Sequence, residues 1–254
     1  MYPDGIGKAE PGEPPEGFDW VMWLGPRAWR PYSTSVAPYH FRWQSDFSSQ
    51  MGNWGVHYMD VIRWLTGERA PTSVTAVGGR YAVDDDRDIP DTLSVLFEFA
   101  CGRVVEFQVN EASAGYSIPG GEIELRGTHG TLVASQNGYT ITPTRPGQFQ
   151  SWKQLVEPEE RLLEGEQSYG DLGIKENSTA NLIDNFLDCV VDRELAPYCS
   201  LEDGHRSTSF AHLANIALAT GERLRWDADT ERFTNNDTAN TMLHYEYREP
   251  WSLE

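Results

Sequence analysis

From Val74 to Thr142 apolar and polar residues alternate in short segments cut by turn residues. A period of two places alternate side chains on opposite faces of a strand, so this block reads as β structure. Strands are expected over 74–83, 92–100, 103–109, 122–126, 131–134 and 139–142. Leu93, Val95, Phe97 and Phe99 share one face, and Val105, Phe107 and Val109 point inward from the next strand. Cys101-Gly102 reads as a tight turn, and Asn137-Gly138 as a two-residue hairpin. Consecutive hairpins give a mainly antiparallel sheet.

Helical spacing brackets the strand block. The segment 53–65 repeats apolar residues with helical period and stops at Thr66-Gly67. Its Tyr58, Val61, Ile62 and Leu65 read as the side facing the core. A second helix is expected over 178–193, with Ile183, Phe186, Leu187 and Val190 buried. A third is expected over 201–220, with Phe210, Leu213, Ala214 and Ala217 buried and Gly221 ending it. Leu224 to Trp226 reads as a short strand. A block of strands with helices at both ends is an α+β fold: a large open, mainly antiparallel sheet with helices on one face.

The first 50 residues differ in kind. Pro11, Pro14, Pro15, Pro26, Pro31 and Pro38 interrupt regular structure, yet Trp20, Trp23, Trp29, Phe41 and Trp43 belong out of water. Residues 1–50 therefore read as an ordered arm packed on the body formed by 51–254. One helical turn is expected near 19–23, capped by Asp19. Residues 144–175 are polar and read as a solvated loop or insertion, including the Glu-rich run 157–166.

A formal net charge of −19 excludes a nucleic-acid partner and an anionic membrane surface, because both need clustered Lys and Arg. The three cysteines, Cys101, Cys189 and Cys199, are odd in number and contain no CxxC, which fits a reducing compartment. No apolar run reaches the roughly 20 residues of a membrane span. The N-terminus carries no basic region followed by an apolar one, so a cytoplasmic location is expected.

The chemistry concentrates in Gly52-Asn53-Trp54-Gly55-Val56-His57-Tyr58-Met59-Asp60. Asn53, His57, Asp60 and Trp64 fall at i, i+4, i+7 and i+11, on one helical face. An imidazole titrates near pH ~6.5 and suits proton transfer at neutral pH. Asn53 is placed to orient a hydroxyl, and Asp60 to fix the imidazole or accept from a hydroxyl. The alternative at the same spacing is local pairing of Asp60 with Arg63 or Arg69. No HxH or HExxH occurs among the six histidines, so no metal site is expected. Asp84-Asp85-Asp86 reads as a loop that solvates itself. Gly78-Gly79 and Gly120-Gly121 lie in β context, so no dinucleotide cradle of the GxGxxG type is encoded.

Several of these segments together resemble one family. Pro3-Asp4-Gly5-Ile6-Gly7, Asp19-Trp20, Trp23-Leu24-Gly25-Pro26, Phe41-Arg42-Trp43 and the 52–60 segment are similar to the C-terminal half of Gfo/Idh/MocA oxidoreductases. Gly204-His205-Arg206-Ser207, Leu224-Arg225-Trp226-Asp227 and Tyr247-Arg248-Glu249-Pro250-Trp251 extend the likeness across nearly the whole chain. The resemblance implies an open antiparallel sheet and a preceding Rossmann domain that binds NAD or NADP and brings a lysine. It implies that Asn53 and His57 face the nicotinamide and a sugar or cyclitol, with Asn53 where aspartate is more familiar. Asp60 matches the acidic position that follows, and Arg42 and Trp43 would lie near the substrate mouth.

The expectation is thus the substrate-binding half of an NAD(P)-dependent oxidoreductase acting on a sugar, cyclitol or related polyol. It would bind no cofactor alone, would be inactive without a Rossmann-domain partner, and would self-associate through its open sheet face. The alternatives are a stand-alone carbohydrate- or protein-binding module, and an NAD-dependent glycosidase-type domain.

Overall fold

A computed structural model of the chain describes residues 5–111, 113, 118, 122–135, 138–144, 156–162 and 178–253. Its contacts divide the chain into two compact units, 1–114 with 201–254, and 115–200. In chain order the helices are α1 (Trp20–Leu24), α2 (Val56–Thr66), α3 (Ser178–Val191), α4 (Leu201–Thr220) and α5 (Asp237–Thr241). The strands are β1 (Ser73–Gly79), β2 (Thr92–Glu98), β3 (Val104–Asn110), β4 (Ile123–Arg126), β5 (Gly130–Ser135), β6 (Gly138–Pro143), β7 (Glu159–Leu162), β8 (Leu224–Asp227) and β9 (Arg232–Phe233). A 3-10 turn covers His40–Trp43 and a π-helical turn covers Met51–Gly55.

The class is α+β with antiparallel pairing throughout, and the strands divide into two sheets. The first unit holds the order β3-β2-β1-β8-β9, and the second holds β4-β5-β6-β7. The predicted inner face of the first sheet is correct: Leu93, Val95, Phe97 and Phe99 are buried, and Phe107 and Val109 pack against the same core. That core is closed by α4, which contributes the expected Phe210, Leu213, Ala214 and Ala217. Phe210 meets Phe97 edge-on at 5.0 Å between ring centroids. Burying such a ring contributes roughly 1.5–3 kcal/mol relative to exposure.

The first strand is shorter than the alternation suggests. It stops at Gly79, because the Asp91 carboxylate draws in the backbone amides of Tyr81, Ala82 and Val83, each at 2.9 Å. Three donors converging on one oxygen bend the chain into a turn instead of prolonging the ladder. Gly78 of β1 leaves no room for a side chain beside β2: a Cβ there would sit 2.3 Å from the Thr92 carbonyl oxygen.

The arm has its own small core of Trp20, Leu24, Tyr32, Val36 and Ala37, with Trp20 and Trp23 stacked at 5.0 Å. Asp19 caps α1 through the Met22 amide at 2.9 Å, as its position predicts. Trp29, expected out of water, is 63% exposed; it follows α1 and stays outside that cluster. The tail closes over the C-terminus of α1, where Arg248 donates to the carbonyls of Val21, Gly25 and Arg27 at 3.1, 2.8 and 3.0 Å. A guanidinium suits that end because helix C-termini carry unpaired carbonyls and partial negative charge.

In the second unit β7 lies inside the segment read as a loop, pairing with β6 from Glu159 to Leu162. Asn137 and Gly120-Gly121 lie outside the described residues. The expected buried stripe of α3 is open: Ile183, Phe186, Leu187 and Val190 are all about half exposed. The spacing identified an amphipathic helix, but among the described residues no element packs extensively on it.

Candidate functional site

The 52–60 segment does not begin as an α-helix. Met51–Gly55 forms a π turn, which runs directly into α2 at Val56. A π turn closes i→i+5 hydrogen bonds, is wider than an α turn, and occurs mostly as single turns, frequently at functional sites. The buried stripe is Met51, Gly55 and Met59, with Tyr58 and Ile62 packed at its margin. Val61 and Leu65, expected in the core, are 38% and 49% exposed. Within α2 the face toward the core is centred on Met59, with Tyr58 and Ile62 at its margins, so Val61 and Leu65 fall on the solvent side.

The four candidate positions stand away from that stripe. Asn53 is half-buried, while His57, Asp60 and Trp64 are exposed. The His57 ring has no hydrogen-bond partner among the described residues, and the same is true of the Asn53 carboxamide. Both are therefore free to meet an incoming group. Asp60 is engaged: the Ser207 hydroxyl donates to Oδ1 at 2.6 Å, and Arg63 lies 4.0 Å away. The π turn is pinned at its start by Ser49, whose hydroxyl accepts from the Gly52 amide at 2.9 Å and from Asn215 Nδ2 on α4 at 3.0 Å.

Arg42 and Trp43 sit on the 3-10 turn. Arg42 lies over the Tyr39 ring at 4.2 Å and donates to the Tyr39 carbonyl at 3.0 Å. Trp43 is only 5% exposed, so its ring is packed rather than presented. Its indole N–H donates to Glu111 Oε1 at 3.4 Å, and Gln50, the residue before the π turn, donates to the same oxygen. Glu111 thus joins the turn bearing Trp43 to the turn bearing Asn53. No spacing rule singles it out, since its partners lie 61 and 68 residues away in sequence.

Glu111 belongs to a buried ionic chain. Arg87 donates to its Oε2, and Arg87 Nε also bridges both oxygens of Asp85, at 2.9 and 3.0 Å. The side chains of Asp85 and Arg87 are fully buried. The reading of 84–86 as a self-solvating loop fails for Asp85. Burial works to raise the Asp85 pKa, but bonds from Arg87 and the Ile6 amide outweigh it and hold the carboxyl below its usual value. Only Asp84, at 87% side-chain exposure, behaves as solvated; Asp86 is tied down by the Ala9 amide at 2.8 Å.

Among the described residues no group of three or more His, Cys, Asp or Glu side chains is placed to hold a metal ion. No helix among them is long and apolar enough to cross a membrane. Gly78 and Gly79 end β1 and lead by a turn into β2, not into a helix, so they form no pyrophosphate cradle.

Two family models match the chain. Residues 25–133 match the GFO/IDH/MocA C-terminal domain, and residues 175–253 match the C-terminal alpha/beta domain of the oxidoreductase family. Among curated proteins nothing matches. Among solved structures, the aldose-aldose oxidoreductase from Caulobacter crescentus complexed with glycerol is similar at a TM-score of 0.52 and 16% identity, covering 74% of this chain and 51% of that one. Levoglucosan dehydrogenase in complex with NADH and levoglucosan is similar at a TM-score of 0.51 and 18% identity, covering 74% of this chain and 54% of that one. The chain spans about half the length of these structures. With the family models falling on both the helix–sheet body and the helical C-terminal segment, the chain belongs to the Gfo/Idh/MocA family and carries the C-terminal part of such an oxidoreductase.

Proposed function

We propose that this chain is the substrate-binding half of an NAD(P)-dependent oxidoreductase acting on a sugar, cyclitol or related polyol. The observation that carries the reading is the exposed His57 ring one turn from the Asn53 carboxamide, both without a partner among the described residues, where a π turn held at its start runs into α2. A polyol hydroxyl needs a group to take its proton and a group to orient it. His57 and Asn53 supply these, and a positioned imidazole contributes ~10²–10⁴-fold. The similarly folded levoglucosan dehydrogenase, solved with NADH and its sugar, agrees with this substrate class.

The nicotinamide belongs to a nucleotide-binding partner half, which would exchange the hydride. Among the described residues no glycine-rich turn leads from a strand into a helix, and the part proposed for this chain is to hold the sugar and move the hydroxyl proton. Asp60, bound by Ser207, positions α2 against α4. Arg42 borders the sugar, while Trp43 acts from behind through Glu111. The outer face of the first sheet, with Val77 at 65% and Leu96 at 42% exposure, is the surface through which two copies would associate.

The test supplies the nucleotide-binding half and compares wild type with His57→Ala. A fall of roughly 10²-fold or more in turnover is expected. Unchanged turnover refutes the role of His57. NADH titrated onto this chain alone is expected to show no saturable binding.

A further inference from the structure

We propose that Glu111 is a positioning residue for the Asn53-bearing π turn that leads into His57, acting through Gln50; the proposal rests on placing the site at Asn53 and His57. Glu111 follows the last residue of β3, and its two carboxylate oxygens face different partners. Oε2 takes the Arg87 guanidinium, while Oε1 takes the Gln50 amide and, at 3.4 Å, the Trp43 indole.

The cation behind Glu111 is held still. Arg87 is 1% exposed and bound to Asp85, and Asp85 is fixed in turn by the Ile6 amide at 2.7 Å and the Arg87 amide at 3.1 Å. The Glu111 carboxylate is therefore anchored on one side and reaches the segment 50–55 on the other. Gln50 is 6% exposed and immediately precedes Met51, where the π turn starts. Ser49 ties the same point to α4. The turn is thus gripped from two directions, by a neutral bond to α4 and by an ionic chain that ends in the N-terminal strap at Ile6.

A π turn is less favourable than an α turn and persists where its surroundings impose it. The link through Gln50 is such a constraint, and its loss lets 51–55 relax toward α geometry, rotating Asn53 relative to His57. The Asp85–Arg87 pair alone would satisfy a purely structural need. Glu111 and Gln50 add the connection to the site. Arg87 Nη2 already lacks a partner among the described residues, so neutralising Glu111 removes one of the two carboxylates that balance the buried guanidinium.

Gln50→Leu is the discriminating variant, because it keeps the Arg87–Glu111 pair and much of the side-chain volume. The labelled full chain is read by nuclear magnetic resonance at the His57 ring, the Asn53 side-chain amide and the backbone amides of 53–57. The expected result is displaced His57 and Asn53 signals and roughly tenfold faster exchange at 53–57, with Val95 and Phe97 unchanged. Glu111→Gln is expected to give the same local pattern together with a lower unfolding midpoint. Superimposable His57 and Asn53 signals with unchanged exchange in Gln50→Leu overturn the proposal. Equal acceleration in β2 and the turn also overturns it, since the link then belongs to the core. A wild-type His57 that responds to no polyol would count against the site and not against this coupling.

Discussion

Ser207 on α4 donates a 2.6 Å hydrogen bond to Asp60 on α2, and the same hydroxyl accepts from Arg63 at 2.7 Å. The chain Arg63–Ser207–Asp60 locks the two helices together, and the exposed His57 ring on the same helix takes no part in it. Ser207 is 2% exposed, and bonds to charged partners contribute about 1.5–3 kcal/mol. Ser207→Ala is therefore expected to lower the unfolding free energy by that amount, read as a lower urea midpoint at an unchanged slope, and to leave the His57 ring signal in place.

Asp91 governs acid stability. It is fully buried; burial acts to raise its pKa, and the amides of Val83 and Ala82, the Thr92 hydroxyl and the Tyr81 amide outweigh this, setting it at about 2. The folded pKa lies below the unfolded value of about 3.9, so the carboxylate stabilises the fold above that pH. The contribution is lost as pH falls from about 4 to about 2, and amounts to roughly 2–3 kcal/mol. Stability measured across that window is expected to fall in wild type, with a shallower fall in Asp91→Asn.

Gly78→Ala tests the lack of room for a side chain between β1 and β2 at that position. The added methyl meets the Thr92 carbonyl oxygen at 2.3 Å and Leu93 Cα at 2.9 Å, both backbone atoms that cannot swing aside. A loss of about 1–3 kcal/mol is expected, the range for overpacking. Thermal unfolding of the variant beside wild type measures it.

Arg248→Ala removes the side chain that caps α1 through three carbonyls. Hydrogen exchange is expected to rise at Trp23, Gly25 and Arg27, whose amides bond within that turn, while β2 amides keep their rate. Lysine at 248 is expected to restore the effect only partly, because it lacks the forked donors.

Period-two alternation made β2 and β3 readable, since each core position follows from its neighbour. The helical stripe of α4 was readable for the same reason, and so was the exposure of His57, which follows from its position opposite the apolar residues. The π turn was not readable: the residues 51–55 fit α spacing, and the wider turn is imposed by Ser49, Gln50 and their distant partners. Asp85 read as a solvated charge and nothing singled out Arg87 or Glu111, because pairing across 24 residues leaves no local pattern. The open stripe of α3 shows the converse, since a helix can advertise a buried face without any described element covering it.

Titrating the labelled full chain with a panel of aldoses and polyols, while following the His57 ring and Asn53 side-chain signals, tests the site most directly. Saturable displacement of both signals by at least one polyol, abolished at Asn53 by His57→Ala, is the predicted result. Saturable binding that leaves both signals unmoved would contradict it.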